Sequence, residues 1–325
     1  MSNKPPSEVP QGAIRLNTDS QKLEFYAQDR WHEMATDVPT LDGGARAVSQ
    51  ASTPSTDALD LVTIATAGNA TDFGDAATAL TGRYGASSRT RGIFAGGGTP
   101  SRVNNIEFIT FSSTGNGTNF GDLTVSRSGG GQMGLGNQTR GVFGCGTTPS
   151  NNDVMDYVTI ASLGDAIDFG DARSNEGGQN SFSSPTRGIL AGGQPGTTPI
   201  DVINIGTTGN SLEFGDLIDS MRFMGTGSSA TRGVWMGGRD SQGPNSQHVQ
   251  YIQIQTLGNS VDFGQLLAAK DDLGGCSDCI RALAYGGGSN VIEYVNISTG
   301  GDSNDFGDGQ TASGYTCLSN GHGGL

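Results

Sequence analysis

The chain has 325 residues, of which 54 are glycine, 34% are hydrophobic and only 15% are charged, and its formal net charge at pH 7 is −14. Glycine is costly in helices, so this composition, without a collagen period, excludes a helical protein and points to turn-rich β structure. The acidic balance argues against nucleic-acid binding and against anionic membranes, and no stretch approaches the roughly 20 apolar residues that a membrane-spanning helix needs.

Residues 1–10 are polar, contain three prolines and lack the apolar segment of a secretory signal, which predicts synthesis in a cytosol. Residues 10–26 read as two strands around a turn, and a third strand follows at residues 30–34. Ile14, Leu16, Leu23, Phe25 and Trp31 supply the apolar positions. Such a piece is too small to be stable alone and leaves aromatics in need of a partner, so residues 1–36 are expected to be a docking module. Residues 37–58, rich in Ser, Thr, Ala and Gly, read as a linker.

Residues 59–325 are repetitive. A Phe-Gly-Asp triplet begins at Phe73, Phe120, Phe169 and Phe214, recurs as Phe263-Gly264-Gln265 and returns at Phe306, at steps of 47, 49, 45, 49 and 43 residues. A second marker, Thr-Arg-Gly, begins at Thr90, Thr139, Thr186 and Thr231. It has a degenerate copy, Cys279-Ile280-Arg281-Ala282, and a remnant, Gly321-His322-Gly323-Gly324-Leu325. Each unit resolves into four short strands. In one unit they are residues 129–137, 140–145, 154–160 and 166–169, with a tight turn at Gly164-Asp165 between the last two. Equivalent turns lie at Gly68-Asn69, Gly115-Asn116, Gly209-Asn210, Gly258-Asn259 and Gly300-Gly301. Four antiparallel strands per unit predict an all-β propeller of six blades. The region opens on a third and a fourth strand (residues 59–64 and 70–74) and ends on a first and a second (residues 311–318 and 322–325). The expectation is therefore a composite blade made of two strands from each end, which leaves no open edge.

The repeated residues have a structural account. Phe73, Phe120, Phe169, Phe214, Phe263 and Phe306 are expected to pack between blades. The aspartate of each triplet is expected to pair with the next arginine: Asp75 with Arg91, Asp122 with Arg140, Asp171 with Arg187, and Asp216 with Arg232. Gln265 with Arg281 is a weaker fifth pair, and Asp308 closes the series. Four cysteines, Cys145, Cys276, Cys279 and Cys317, are too few for a disulfide framework. Cys276 and Cys279 form a single CxxC without the second pair of a zinc site, and Cys276 and Cys317 are read as occupying the same repeat position. The three histidines, His32, His248 and His322, lie in different contexts, and His322 takes the arginine slot of the last repeat. Residues 302–309 resemble a calcium loop but lack its distal bidentate glutamate. No cofactor, metal or catalytic constellation is expected. The least repeated residues are four polar loops between second and third strands, at residues 99–104, 147–152, 194–199 and 239–247, and any recognition is placed there.

The double glycines Gly96-Gly97, Gly192-Gly193, Gly237-Gly238 and Gly286-Gly287, with an aromatic on each fourth strand, resemble the kelch-type propeller, although the kelch tryptophan is absent. Residues 90–98, 61–75 and 319–325 resemble Gly-rich repeat proteins of tailed bacteriophages, especially those of marine cyanobacteria. The run from Gly12 to Tyr26 with Trp31 resembles N-terminal modules of phage tail and fibre proteins. The resemblance implies a structural, non-enzymatic virion protein of the tail, a fibre or a tail-associated part, assembled in the host cytoplasm. Its expected partners are other virion proteins through the N-terminal module, further copies of itself, and a host surface glycan or receptor through the propeller loops. A capsid decoration protein and a glycan-binding or glycan-processing propeller enzyme are the alternatives.

Overall fold

The structure, a computed structural model, describes residues 9–17, 22–33, 45–51, 55–98, 100–129, 134–148, 150–241, 243–310 and 315–325. It is all-β, with no helix among the described residues, and it divides into two compact units, Met1–Asp42 and Gly43–Leu325. The first unit is a three-stranded antiparallel sheet of Ile14–Asn17, Lys22–Ala27 and Arg30–Glu33. Its second turn, Gln28-Asp29, takes positive φ at both residues (50° and 58°), the geometry that suits a two-residue hairpin.

Among its described residues the second unit holds five four-stranded antiparallel sheets, one five-stranded sheet and a two-stranded hairpin of Thr147–Thr148 and Ser150–Asn151, an arrangement consistent with a β-propeller. Sheet 1 joins Tyr315–Ser319, Arg46–Ala51, Ala58–Thr63 and Thr71–Asp75. Sheet 2 is Tyr84–Ser87, Arg91–Ala95, Asn105–Thr110 and Thr118–Asp122, and sheet 3 is Gly134–Gly136, Arg140–Gly144, Val154–Thr159 and Ile167–Asp171. Sheet 4 is Asn180–Ser183, Arg187–Ala191, Thr197–Asn204 and Leu212–Arg222, with Arg239–Asp240 added at its edge. Sheet 5 is Gly225–Ser228, Arg232–Met236, Ser246–Gln253 and Val261–Lys270, and sheet 6 is Leu273–Ser277, Arg281–Gly286, Val291–Asn296 and Asn304–Asp308.

Sheet 1 corrects the expected composite. Three of its strands come from residues 46–75 and only one, Tyr315–Ser319, from the far end, so the division is three and one rather than two and two. The stretch read as a linker supplies the second strand, Arg46–Ala51, paired with Ser319 through Tyr315 in continuous register. Residues 320–325 are not a strand. Arg46, not His322, fills the arginine position of this sheet.

Adjacent sheets interlock by size. At five junctions the penultimate residue of a first strand faces the residue after the arginine on the next sheet. A Cβ at Gly92 would lie 2.7 Å from Leu318, at Gly141 3.0 Å from Ala86, at Gly188 2.7 Å from Leu135, and at Gly233 1.9 Å from Phe182. Where the pointing residue is itself glycine, Gly227, the facing residue is Ala282. The repeated glycine after the arginine is thus the socket for a neighbouring side chain, which is why it relaxes to alanine only opposite small partners.

Candidate functional site

Three sets of contacts use the repeated residues: two join neighbouring sheets, and the third ties the approach to a sheet to that sheet's third strand. The first is built on the Phe-Gly-Asp triplet. The backbone N–H of a turn glycine on the next sheet donates to each phenylalanine carbonyl: Gly115 to Phe73, Gly164 to Phe120, Gly209 to Phe169, Gly258 to Phe214 and Gly301 to Phe263, at 2.7–3.0 Å. The sixth, Gly68 to Phe306, runs from sheet 1 to sheet 6 at 2.7 Å. The N–H of the third triplet residue then donates to the side-chain oxygen of the facing turn: Asp75 to Asn116, Asp122 to Asp165, Asp171 to Asn210, Asp216 to Asn259, Gln265 to Asp302 and Asp308 to Asn69. The approach is so close that a Cβ at Gly121, whose φ is +159°, would stand 2.3 Å from the Gly164 carbonyl oxygen. Asp302 is occupied in this role, so the segment that resembles a calcium loop is an ordinary junction.

The second set corrects the expected Asp–Arg pairs. Each repeat arginine instead donates to a backbone carbonyl just past the third strand of the next sheet. The pairs are Arg46 to Phe111, Arg91 to Ile160, Arg140 to Ile205, Arg187 to Ile254, Arg232 to Ile297 and Arg281 to Ile64, at 2.7–3.1 Å. The triplet aspartates join the junction through their backbone N–H groups. Four of the guanidinium groups lie over an aromatic of their own third strand: Arg91 over Phe108, Arg140 over Tyr157, Arg232 over Tyr251 and Arg281 over Tyr294, at 4.5–4.8 Å. Those aromatics meet the buried triplet phenylalanines Phe120, Phe169, Phe263 and Phe306 edge to face.

The third set was not foreseen. Each third strand carries one buried polar residue between a buried apolar residue and a half-buried one: Asp60, Glu107, Asp156, Asp201, Gln250 and Glu293. In four sheets a cation placed ahead of the first strand reaches it. Arg127 meets Asp156 at 2.9 Å with both side chains fully buried, Arg173 meets Asp201 at 2.7 Å, Lys270 meets Glu293 at 2.6 Å, and Arg83 meets Glu107. The Thr124 N–H joins Arg127 on Asp156 Oδ2 while the Thr124 hydroxyl donates to Oδ1, and the Leu267 N–H and the Ser303 hydroxyl donate to Glu293 Oε2. Burial pulls the Arg83 guanidinium below its usual range, with Glu107 opposing the shift. At Asp60 the partner is the Gln310 N–H, and burial pushes the carboxyl up. The signal in the sequence is an acidic or amide residue at one phase of every third strand, flanked by residues that belong in a core.

The first strands surround a cavity of about 60 Å³, room for a few water molecules, lined by residues of all six sheets together with His322. Cys276 and Cys317 both line it, neither in a disulfide, but one residue out of phase: Cys276 is equivalent to Leu318, and Cys317 to Gly275. Cys145 is buried, which raises its thiol to about 12, and burial raises Cys279 to about 11, so neither is a nucleophile at neutral pH. His248 bridges Asp219 at 2.7 Å and Asp262 at 2.8 Å, tying the fourth strand of sheet 4 to sheet 5. Among the described residues no group of three or more His, Cys, Asp or Glu side chains is arranged to hold a metal ion.

In the first unit, register places Ile14 opposite Phe25, Leu16 opposite Leu23 and His32 opposite Phe25, so these share one face. Ile14, Leu16 and Leu23 are 62%, 60% and 44% exposed there. Trp31 pairs with Tyr26 and lies on the opposite face, beneath the Arg15 guanidinium at 4.3 Å. Arg15 and Asn17 both bond Glu24 and hold its carboxyl below the usual range.

No protein-family model matches the chain, and no curated protein sequence matches it either.

Proposed function

We propose that this chain is a structural, non-enzymatic component of a tailed-phage particle: a closed six-bladed β-propeller carried on a small docking module. Closure is supported by the junction series, in which the sixth set of bonds, Gly68 to Phe306 and Arg281 to Ile64, returns to the first sheet. One observation carries the structural role. The repeated arginines, the triplet backbone and the buried third-strand polar residues are engaged in holding strand to strand, and the buried carboxylates of Asp156 and Glu293 are paired with cations and bonded by backbone and hydroxyl donors. A residue in that state cannot serve as general acid or base without opening the sheet junction. Docking is supported by the apolar face of Ile14, Leu16, Leu23 and Phe25, which a sheet of three short strands has no internal reason to expose. The virion assignment rests on the motif resemblance at both ends of the chain.

The test is a mass-spectrometric inventory of gradient-purified particles of a phage that encodes this sequence. The proposal expects the chain at a fixed copy number in the particle. Its presence in infected cells and absence from purified particles would overturn the assignment, and turnover on a glycoside panel would overturn the non-enzymatic reading.

A further inference from the structure

The last residue of each first strand forms a chain of hydroxyl contacts. Ser87 donates to the Ser319 carbonyl at 2.7 Å, Ser319 to Ser277, Ser277 to Ser228 at 2.9 Å, Ser228 to Ser183 at 2.8 Å, and Ser183 to Gly136 at 2.6 Å. The sixth position is Gly136, which has no hydroxyl to give to the Ser87 carbonyl. His322 fills that vacancy from outside the strands, its Nε2–H donating to Ser87 O at 3.0 Å, while its Nδ1 accepts the Gly324 N–H at 3.1 Å.

The segment carrying His322 is fitted against every sheet. A Cβ at Gly321 would meet Ala45 at 2.7 Å and Asp278 at 3.3 Å, one at Gly323 would meet the Ser229 carbonyl at 2.3 Å, and one at Gly324 would meet Gly136 O at 2.1 Å and Ser183 Oγ at 2.6 Å. With the Ser87 contact, residues 320–325 touch segments of all six sheets. We infer that residues 320–325 are an acid-releasable latch, which completes the hydroxyl ring through neutral His322 and covers one mouth of the axial cavity. The inference rests on the proposed closed ring.

The mechanism follows from the hydrogen-bond polarity. Nδ1 must be an unprotonated acceptor to receive Gly324 N–H. A proton there would set two donors against each other and put a charge in a site that burial has already driven down to about 4. The charged and titratable groups on the segments packed around the latch are Arg46, Arg89, Asp278, Cys279 and the cavity thiols Cys276 and Cys317. Arg46 and Arg89 are cations like an imidazolium, and Asp278, the one carboxylate among these groups, directs its Oδ1 to the N–H groups of Ile280 and Arg281.

The test labels the full chain with 4,4′-dithiodipyridine, a disulfide reagent that remains active in acid, and maps modified Cys276 and Cys317 by peptide mass spectrometry. In the unaltered protein both thiols should be protected at pH 7 and react about tenfold faster near pH 4, as opening of the latch becomes favourable. His322→Gln, which keeps a donor and an acceptor without titrating, should remain protected at both pH values. His322→Ala should label at both, with circular dichroism showing its strands intact. An identical pH response in the unaltered protein and His322→Gln would overturn the latch, as would full protection of His322→Ala. Full reactivity of the unaltered protein at pH 7 would instead contradict the closed ring itself.

Discussion

Phe182 of sheet 4 occupies the space that a side chain on Gly233 of sheet 5 would need: a Cβ there would stand 1.9 Å from the ring. The ring is also packed against Trp235, with centroids 4.6 Å apart, so it cannot swing aside freely. Gly233→Ala should therefore destabilise the protein by about 2 kcal/mol or more, the overpacking range. Phe182→Leu combined with Gly233→Ala should recover part of the loss. Denaturant melts of the two variants check this, and equal stability of Gly233→Ala and the unaltered protein would refute the interlock.

The arginine geometry separates two roles that look coupled in the sequence. Arg91→Lys should cost about 1–2 kcal/mol, because a lysine cannot reproduce the carbonyl contacts to Ile160 and Ala161 while stacking on Phe108. Asp75→Ala should cost less than about 0.5 kcal/mol, since the exposed carboxylate makes no ion pair and its backbone bonds survive. Thermal melts of the single variants decide it; comparable losses from both would restore the Asp–Arg pair.

The buried pair of Arg127 and Asp156 gives a third expectation. Arg127→Ala leaves an uncompensated carboxylate in the core and should cost about 3–5 kcal/mol. Arg127→Met with Asp156→Leu should lose much less, because both desolvation costs vanish together. Urea denaturation of the single and double variants measures the difference.

Asp60 holds the equivalent place in sheet 1, and burial raises its carboxyl. A carboxyl raised in the fold binds protons more tightly than in the unfolded chain, so its contribution to stability falls as pH rises through the window above its ordinary value of 3.8. Asp60→Asn, which copies the amide of Gln250 in sheet 5, should therefore stabilise the protein at pH 7 and lose that advantage in acid. Melts at pH 7 and below pH 4 test the sign.

His322 has the opposite sign of pH dependence. Its pKa is lowered from 6.5 to about 4 by burial, so the unfolded chain takes up the proton first. Stability should be fully present above about pH 6.5, decline as pH falls toward about 4, and lose roughly 3 kcal/mol across that span. The slope should be absent in His322→Gln.

The strand order of the complete units was legible because turn glycines and the Phe-Gly-Asp and Thr-Arg-Gly markers sit where the backbone leaves no alternative. Arg46–Ala51 escaped notice because Ala-Val-Ser-Gln-Ala offers neither an apolar alternation nor a glycine, and its stability comes from strands on both sides rather than from its own composition. The arginine partners were misassigned because a carbonyl has no residue type: Ile160 and Ile205 accept through atoms that every residue carries. Likewise, the hydroxyl ring cannot be read from serines scattered through a Ser-rich chain. It depends on one register, and the glycine that interrupts it is recognisable only when His322 is seen in its place.

The most direct test of the closed ring uses a native thiol. Cys317 lies directly opposite Ser49 in the pairing that joins the two ends of the repeat region, and cross-strand neighbours share a face at a separation suited to a disulfide. Ser49→Cys, mildly oxidised while folded, should form a disulfide between residues 49 and 317, detected by peptide mass spectrometry and faster non-reducing migration. Gln50→Cys, one residue away and facing the other side, should not. A folded Ser49→Cys protein in which Cys317 stays free, or one in which Gln50→Cys links equally well, would contradict the composite sheet and the closure built on it.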